Sequence, residues 1–193
     1  MKTIGVTGGI GAGKTVVSKL LTCMGVPVYN SDLKAKEIVN TNLNIKQNII
    51  DLLGQDAYLN GFYNPKYVAS KVFADVALMQ KLNSIIHPAV KLDFDTWKET
   101  QNVKFIAKET ALLFQTELWK SVDFSILVFA DQTVRVKRIL ERDPQRNLVE
   151  IDAILNKQGD QKKILEKADF IIYNNGNESI IAQLREILKK IEF

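Results

Sequence analysis

Cysteine is almost missing from this chain of 193 residues. Cys23 stands alone, so the sequence excludes an intrachain disulfide and a cysteine metal cluster and suits a reducing compartment. Long apolar runs are missing too. No stretch approaches the roughly 18 consecutive apolar residues of a membrane span, and glycines interrupt the N-terminus before any signal-peptide core can form. These absences predict a cytoplasmic protein with no membrane partner. Charge of one sign is not in excess either: 26 basic residues against 22 acidic leave a net charge of +4. That balance leans toward anionic small molecules and falls short of a nucleic-acid-binding surface. Internal repeats, low-complexity tracts and linker-like segments are absent, and nothing in the sequence fixes an oligomeric state.

What is present is an alternation of short β-branched runs with helical periodicity. Residues 2–7 read as a strand, 14–24 as a helix stopped by Gly25, 26–32 as a second strand, and about 33–39 as a helix. The segment from about 42 to 101 reads as mainly helical, with Asn64-Pro65 and Asp75 as helix starts and His87-Pro88 as a break. Strands return at 103–109 and 124–131, each an apolar run ending in an acid, as strands buried on both faces do. Helices over 132–142 and 148–158, a strand over 169–176 and an amphipathic helix over 178–191 complete the pattern. The pattern predicts an α/β fold: a parallel sheet flanked by helices, with a core of about 1–40 and 103–193 and a helical lobe of about 42–101.

The densest signal is GVTGGIGAGKT, residues 5–15. Gly8 to Thr15 fits G-x-x-x-x-G-K-[ST] between a strand and a helix, the context a phosphate-binding P-loop requires. Glycines let successive N–H groups approach phosphate oxygens, and the helix start adds its positive dipole end. Gly9, Gly11, Ala12, Gly13, Lys14, Thr15 and Val16 are therefore the candidate nucleotide site. Lys14 is the candidate for the β- and γ-phosphates and the Thr15 hydroxyl for Mg²⁺, so ATP and Mg²⁺ are the expected cofactors.

Three acids end apolar strands: Asp32, Glu109 and Asp131. Each is a candidate to orient metal-bound water or an acceptor hydroxyl, with helix capping as the plain structural alternative for Asp32 and Asp131. Arg135, Arg138, Arg142 and Arg146 supply a basic segment of the kind that closes over phosphates, within a lid of about 135–158. Residues alone leave three readings open: a small-molecule kinase, another nucleoside or nucleotide kinase, and a nucleotide-dependent switch.

Along its whole length the sequence resembles the dephospho-CoA kinase family. GVTGGIGAGKT is similar to that family's GLTGGIGSGKS. VPVYNSDLKAKEIV resembles its D-A-D segment, with Asn30 in place of the first aspartate and Asp32 retained. VFADVALMQKLNSIIHPAV carries its His-Pro pair at His87-Pro88, ETALLFQ stands at its D-x-P-L-L-F-E, and KQGDQKKILEKADFIIYNNG matches its last motif. The departures are Glu109 for aspartate, Ala111 for proline, Gln115 for glutamate, Val16 for a second hydroxyl, and Ile154 where a lid arginine is usual four residues before Gln158. The resemblance implies transfer of the ATP γ-phosphoryl group to the ribose 3′-hydroxyl of dephospho-CoA. By position it implies Asp32 as the acid at the acceptor, with His87 shaping the acceptor lobe and Leu112, Leu113 and Phe114 kept at the acceptor. With Ile154 at the usual lid arginine, Lys14 and Arg138, Arg142 or Arg146 are the cations expected to neutralise the transferred group, so Asp32, Lys14, Arg138 and Arg142 are the candidate catalytic groups. Lys66 and Lys71 are candidates for the acceptor's pyrophosphate.

Overall fold

The computed structural model describes the chain except residues 74, 117, 158–163 and 193, and of Lys157 the backbone alone. It divides into two compact units, Met1–Tyr29 with Gln101–Phe193, and Asn30–Thr100.

The first unit is a five-stranded sheet in the order β2-β5-β1-β6-β7. Its strands are β1 (Lys2–Thr7), β2 (Val28–Asn30, which reaches the unit boundary), β5 (Phe105–Glu109), β6 (Phe124–Phe129) and β7 (Phe170–Tyr173). β1 pairs in parallel with β5 and β6, and β6 in parallel with β7. The period-two pattern turns Ile4, Val6, Phe105, Ala107, Ile126, Val128 and Ile172 into one core. α1 (Lys14–Cys23) brings Val17 and Leu21 to that core, and the last helix, α8 (Ile180–Lys190), brings Leu184, Ile187 and Leu188. Each such side chain contributes about 1.5–3 kcal/mol on burial. β5 is buried along its whole length, which explains why its sequence does not alternate in polarity. Acids fix the entry of two strands: Asp123 Oδ2 accepts from Thr3 N (2.7 Å), and Asp169 Oδ2 from Ser125 N (2.8 Å) and Ser125 Oγ (2.6 Å). α6 (Gln132–Arg142) and α7 (Leu148–Lys157) join through Ile139, Ile151 and Leu155.

The second unit packs α2 (Ser31–Thr41), α3 (Leu43–Leu53), α4 (Pro65–Val72) and α5 (Val76–Glu99) around Val39, Ile49, Leu53, Tyr58, Val68 and Leu82. The buried Tyr58 hydroxyl donates to Val39 O at 2.6 Å. Burial pushes the Tyr58 phenol up to about 12. Asn64 and Asp75 cap α4 and α5 through the N–H groups of Tyr67 and Leu78.

Three expectations change. α5 runs through Pro88 instead of breaking at His87-Pro88. An interior proline costs about 3 kcal/mol, and burial of Leu82, Val90 and Phe94 on either side of it offsets that. A two-stranded antiparallel hairpin, β3 (Tyr58–Leu59) and β4 (Phe62–Tyr63), interrupts the helical middle, turned by Asn60 (φ +51°) and Gly61. β2 is only three residues long, because α2 begins at Ser31. Among the described residues no helix is long and apolar enough to cross a membrane.

Candidate active site

The loop from Gly8 to Gly13 joins β1 to α1. Ala12 N donates to Gly9 O (3.1 Å), closing the loop on itself, and Val16 N and Val17 N donate to Gly13 O (3.0 and 3.3 Å). Gly13 is the residue before α1, at φ +102°, and supplies no side-chain cap; the first turn of the helix holds no acid. The positive dipole end at Lys14 and Thr15 is therefore of the kind that takes an anion. Lys14 Nζ donates to Gly8 O (2.9 Å) and, more weakly, to Gly9 O (3.4 Å). The ammonium is thus strapped across its own loop, over carbonyls that a phosphate oxygen can replace. Thr15 and Val16 are exposed, and Ala12 is fully buried.

Three glycines of this loop answer to the protein itself: a Cβ on Gly8 would collide with the backbone oxygen of Val128 in β6. A Cβ on Gly11 (φ +77°) would lie 2.8 Å from the backbone oxygen of Arg135, and one on Gly13 would collide with Asn174 Nδ2. The loop is thus pressed against α6 and the end of β7. Arg135, 4% exposed, donates from Nε to Ile10 O (2.9 Å), and Ile10 packs on the Ile139–Ile151–Leu155 cluster. Arg138 is half-buried; its Nη2 donates to Asn174 Oδ1 (3.3 Å), and its Nη1 is a buried donor with no hydrogen-bond partner among the described residues. Arg142 and Arg146 lie further out, both paired with Asp143 Oδ2 (2.9 and 3.3 Å). Hydrogen bonding from Arg142 is the main cause that holds the Asp143 carboxyl below its ordinary range.

The strand-end acids separate. Glu109 closes β5, opposite Val6 of β1, and is 4% exposed. Asp131 is exposed and makes no side-chain cap to α6, and its backbone N–H donates to Asn175 Oδ1 (2.8 Å). Asp32 sits half-buried in the first turn of α2. Asn30 makes the helix cap, accepting from Leu33 N at 2.9 Å, so the capping alternative for Asp32 falls away. Leu113 is fully buried and packs under Gly5, where a Cβ would stand 2.9 Å from its methyl group; Leu112 is exposed and Phe114 half-buried. Ala111, Gln115, Thr7, Gly8 and Gly9 line a cleft of about 10 Å³, room for about one water. His87 is largely exposed on α5, and its pKa is lowered from the ordinary value by partial desolvation. Lys66 and Lys71 are exposed on α4. Gln158 and the start of the last motif fall outside the described residues.

Sequence reasoning missed Asn174 and the loop-supporting role of Arg135. An asparagine after a strand reads as a turn former, and an arginine in a basic helix reads as solvated, so neither residue type signals its partner.

Residues 2–179 match the model of the dephospho-CoA kinase family. A dephospho-CoA kinase of Bacteroides fragilis is 37% identical over 96% of this chain and 90% of its own. One of Porphyromonas gingivalis is 33% identical over 99% and 95%. The crystal structure of TT1252 from Thermus thermophilus superposes with a TM-score of 0.89 at 25% identity, covering 98% and 97% of the two chains. A shikimate kinase of Bacteroides thetaiotaomicron, 12% identical, shares the fold with a TM-score of 0.57 over 100% and 99%.

Proposed function

This chain belongs to the dephospho-CoA kinase family and is an ATP-dependent phosphotransferase; on that premise we propose that it moves the ATP γ-phosphoryl group to the ribose 3′-hydroxyl of dephospho-CoA, releasing coenzyme A and ADP. The observation that carries the proposal is the start of α1, a helix N-terminus whose own first turn carries no acid, behind a loop strapped by Lys14. Phosphoryl transfer demands positioning and charge neutralisation more than covalent chemistry from the protein. Gly9, Gly11, Ala12, Gly13 and Val16 shape the cradle for the phosphates. Lys14 is the compact cation for the β- and γ-phosphates. Arg138, already partly desolvated, is the arginine we assign to the transferred group, with Arg142 as the outer member of the lid. Asp32 is the acid assigned to orient the acceptor hydroxyl and take its proton late in transfer.

The donor set fits Mg²⁺. Thr15 offers an exposed hydroxyl at the first turn of α1, and Glu109 offers a carboxylate at the end of the strand beside β1. Both are hard oxygen donors, of the kind this ion takes together with phosphate oxygens and water. When bound, the ion supplies positive charge across the β- and γ-phosphates.

In the middle segment we place acceptor recognition, with His87 shaping the lobe and Lys66 and Lys71 toward the acceptor's pyrophosphate. In the first unit, Leu112 and Phe114 are assigned to the acceptor and Leu113 to the floor beneath them. A reducing, cytoplasmic setting belongs to the same reading. The test is ADP release from Mg-ATP with and without dephospho-CoA. ADP should appear at speed only with the acceptor. Release independent of it, or faster transfer to simple nucleosides or nucleotides, overturns the assignment.

A further inference from the structure

We propose that Asn174 is a positioning residue which couples the shape of the phosphate loop to the aim of Arg138. The proposal deepens the assignment of Arg138 to the phosphates and rests on that assignment. Asn174 is 8% exposed and stands just past β7. Its backbone N donates to Phe129 O (2.8 Å), which pins it to the end of β6. Its side-chain Nδ2 donates to Ala12 O (2.7 Å), and its Oδ1 accepts from Arg138 Nη2 (3.3 Å). The neighbours fix which way the amide points, because a carbonyl only accepts and a guanidinium only donates.

A carboxamide of this length is the side chain that serves both partners. Aspartate has no donor for Ala12, leucine serves neither partner, and glutamine is one methylene too long for a site this filled. The loop shows the reverse side of the same constraint. Gly13 must lack a Cβ because Asn174 Nδ2 occupies that space. The last glycine of the motif therefore makes room for this bond as well as giving α1 its left-handed start. Arg138 Nη1 is buried and has no partner among the described residues, an arrangement that costs free energy until an acceptor arrives. An anionic oxygen in the loop is the acceptor that would engage it, and Asn174 holds the other arm of the fork while it does so.

The test is a double-mutant cycle on the affinity for β,γ-imido-ATP with Mg²⁺, which keeps the γ-phosphoryl group and does not transfer it, read by calorimetry on the full chain, with Asn174→Leu, Arg138→Met and the pair. Binding of this nucleotide needs no acceptor, so the cycle stands whether or not dephospho-CoA proves to be the substrate; conversely, a chain that shows the coupling but no dephospho-CoA-dependent turnover overturns only the functional reading. Each single substitution should weaken β,γ-imido-ATP binding by about ten- to a hundredfold, the span of a hydrogen bond to a charged group. The Arg138→Met loss should shrink to a few-fold in the Asn174→Leu background. Steady-state kinetics should show KM for ATP rising while KM for dephospho-CoA stays put. If Asn174→Leu does not fold, Asn174→Asp takes its place. It keeps the acceptor for Arg138 and loses the donor to Ala12. It should bind β,γ-imido-ATP about tenfold more weakly, and the Arg138→Met loss should persist in full. Additive losses in the leucine cycle, or wild-type β,γ-imido-ATP affinity in Asn174→Asp, overturn the proposal. So does a fall in melting temperature with both KM values unchanged, the mark of a merely structural residue.

Discussion

Replacing Asp32 by asparagine separates chemistry from folding, because the structure assigns the cap of α2 to another residue. Leu33 N donates to Asn30 Oδ1 and Asp32 lies inside the first turn. Asp32→Asn leaves that cap in place and removes only a negative charge near a helix N-terminus, worth about 0.3–1 kcal/mol at an accessible site. An acid that positions a hydroxyl and accepts its proton contributes about 10²- to 10⁴-fold. At about 1.36 kcal/mol per decade, that is roughly 2.7–5.5 kcal/mol of barrier. The expected rate loss exceeds the expected stability loss by several-fold, so one cannot masquerade as the other. The assay is kcat by coupled ADP release, alongside ADP affinity and thermal melting of the same variant. Turnover should fall by two to four decades, with ADP affinity and melting close to those of the parent. Asn30→Ala should do the reverse, costing about 0.5–2 kcal/mol of stability while the rate per folded molecule changes little. An Asp32→Asn protein with full turnover, or one whose rate loss tracks lost ADP binding, refutes the role.

Lys14→Met should lower kcat by about 10²–10³-fold or more, as removal of a preorganised charge donor does, with a near-native melt because water can take its place on the carbonyls of Gly8 and Gly9; near-normal turnover would remove this loop from the reaction. Arg138→Met and Arg142→Met should diverge in the same assay, the first losing about three decades in kcat and the second a few-fold at most, since Arg142 lies at the surface against Asp143; equal mild effects would show that neither neutralises the transferred group. Tyr58→Phe leaves Val39 O without its buried donor and should cost about 1–3 kcal/mol in denaturant unfolding. The folded phenol titrates near 12 against 10.0 for a free one, so the contribution of Tyr58 is fully present below pH 10 and is lost as pH rises toward 12; the variant should lack that alkaline fall, and an identical fall in both proteins would refute the sign.

The parts of the fold legible in the sequence were those whose cause is local. Gly25 beyond α1, Asn64 and Asp75 as caps, and apolar β5 and β6 all carry their reason within a few residues, and the structure places them where that reason predicts. The phosphate loop belongs to the same class, since strand, glycines and helix start are consecutive. What was not legible depends on distant partners. Pro88 sits inside α5 because Leu82, Val90 and Phe94 pack on both sides of it, and a proline-based reading counts the lost bond but not the buried stripe. Asp32 reads as a possible cap of the helix after it, and only the backbone shows that the helix starts earlier and is capped by Asn30. Asn174 meets Ala12 across 162 positions of sequence, a pairing that no window over the chain can contain.

Seen from the loop, much of its shape is set before any nucleotide binds. Ile10 is held twice, its side chain by the apolar cluster of α6 and α7 and its carbonyl by Arg135. Gly11 is fitted to the backbone of α6, Gly13 to Asn174, and Ala12 hangs from the same amide. A cradle built this way loses little entropy on meeting a triphosphate, so more of the binding energy is left for the transferred group. Arg135 and Arg138 stand three residues apart on one helix and therefore on one face of it. The residue that supports the loop and the residue assigned to the phosphates thus move as one body. A tilt of α6 that brought Arg138 closer to the transferred group would also pull on Ile10. Phosphate-loop shape and arginine placement are mechanically linked through α6, and Asn174 ties the same two parts from the opposite side.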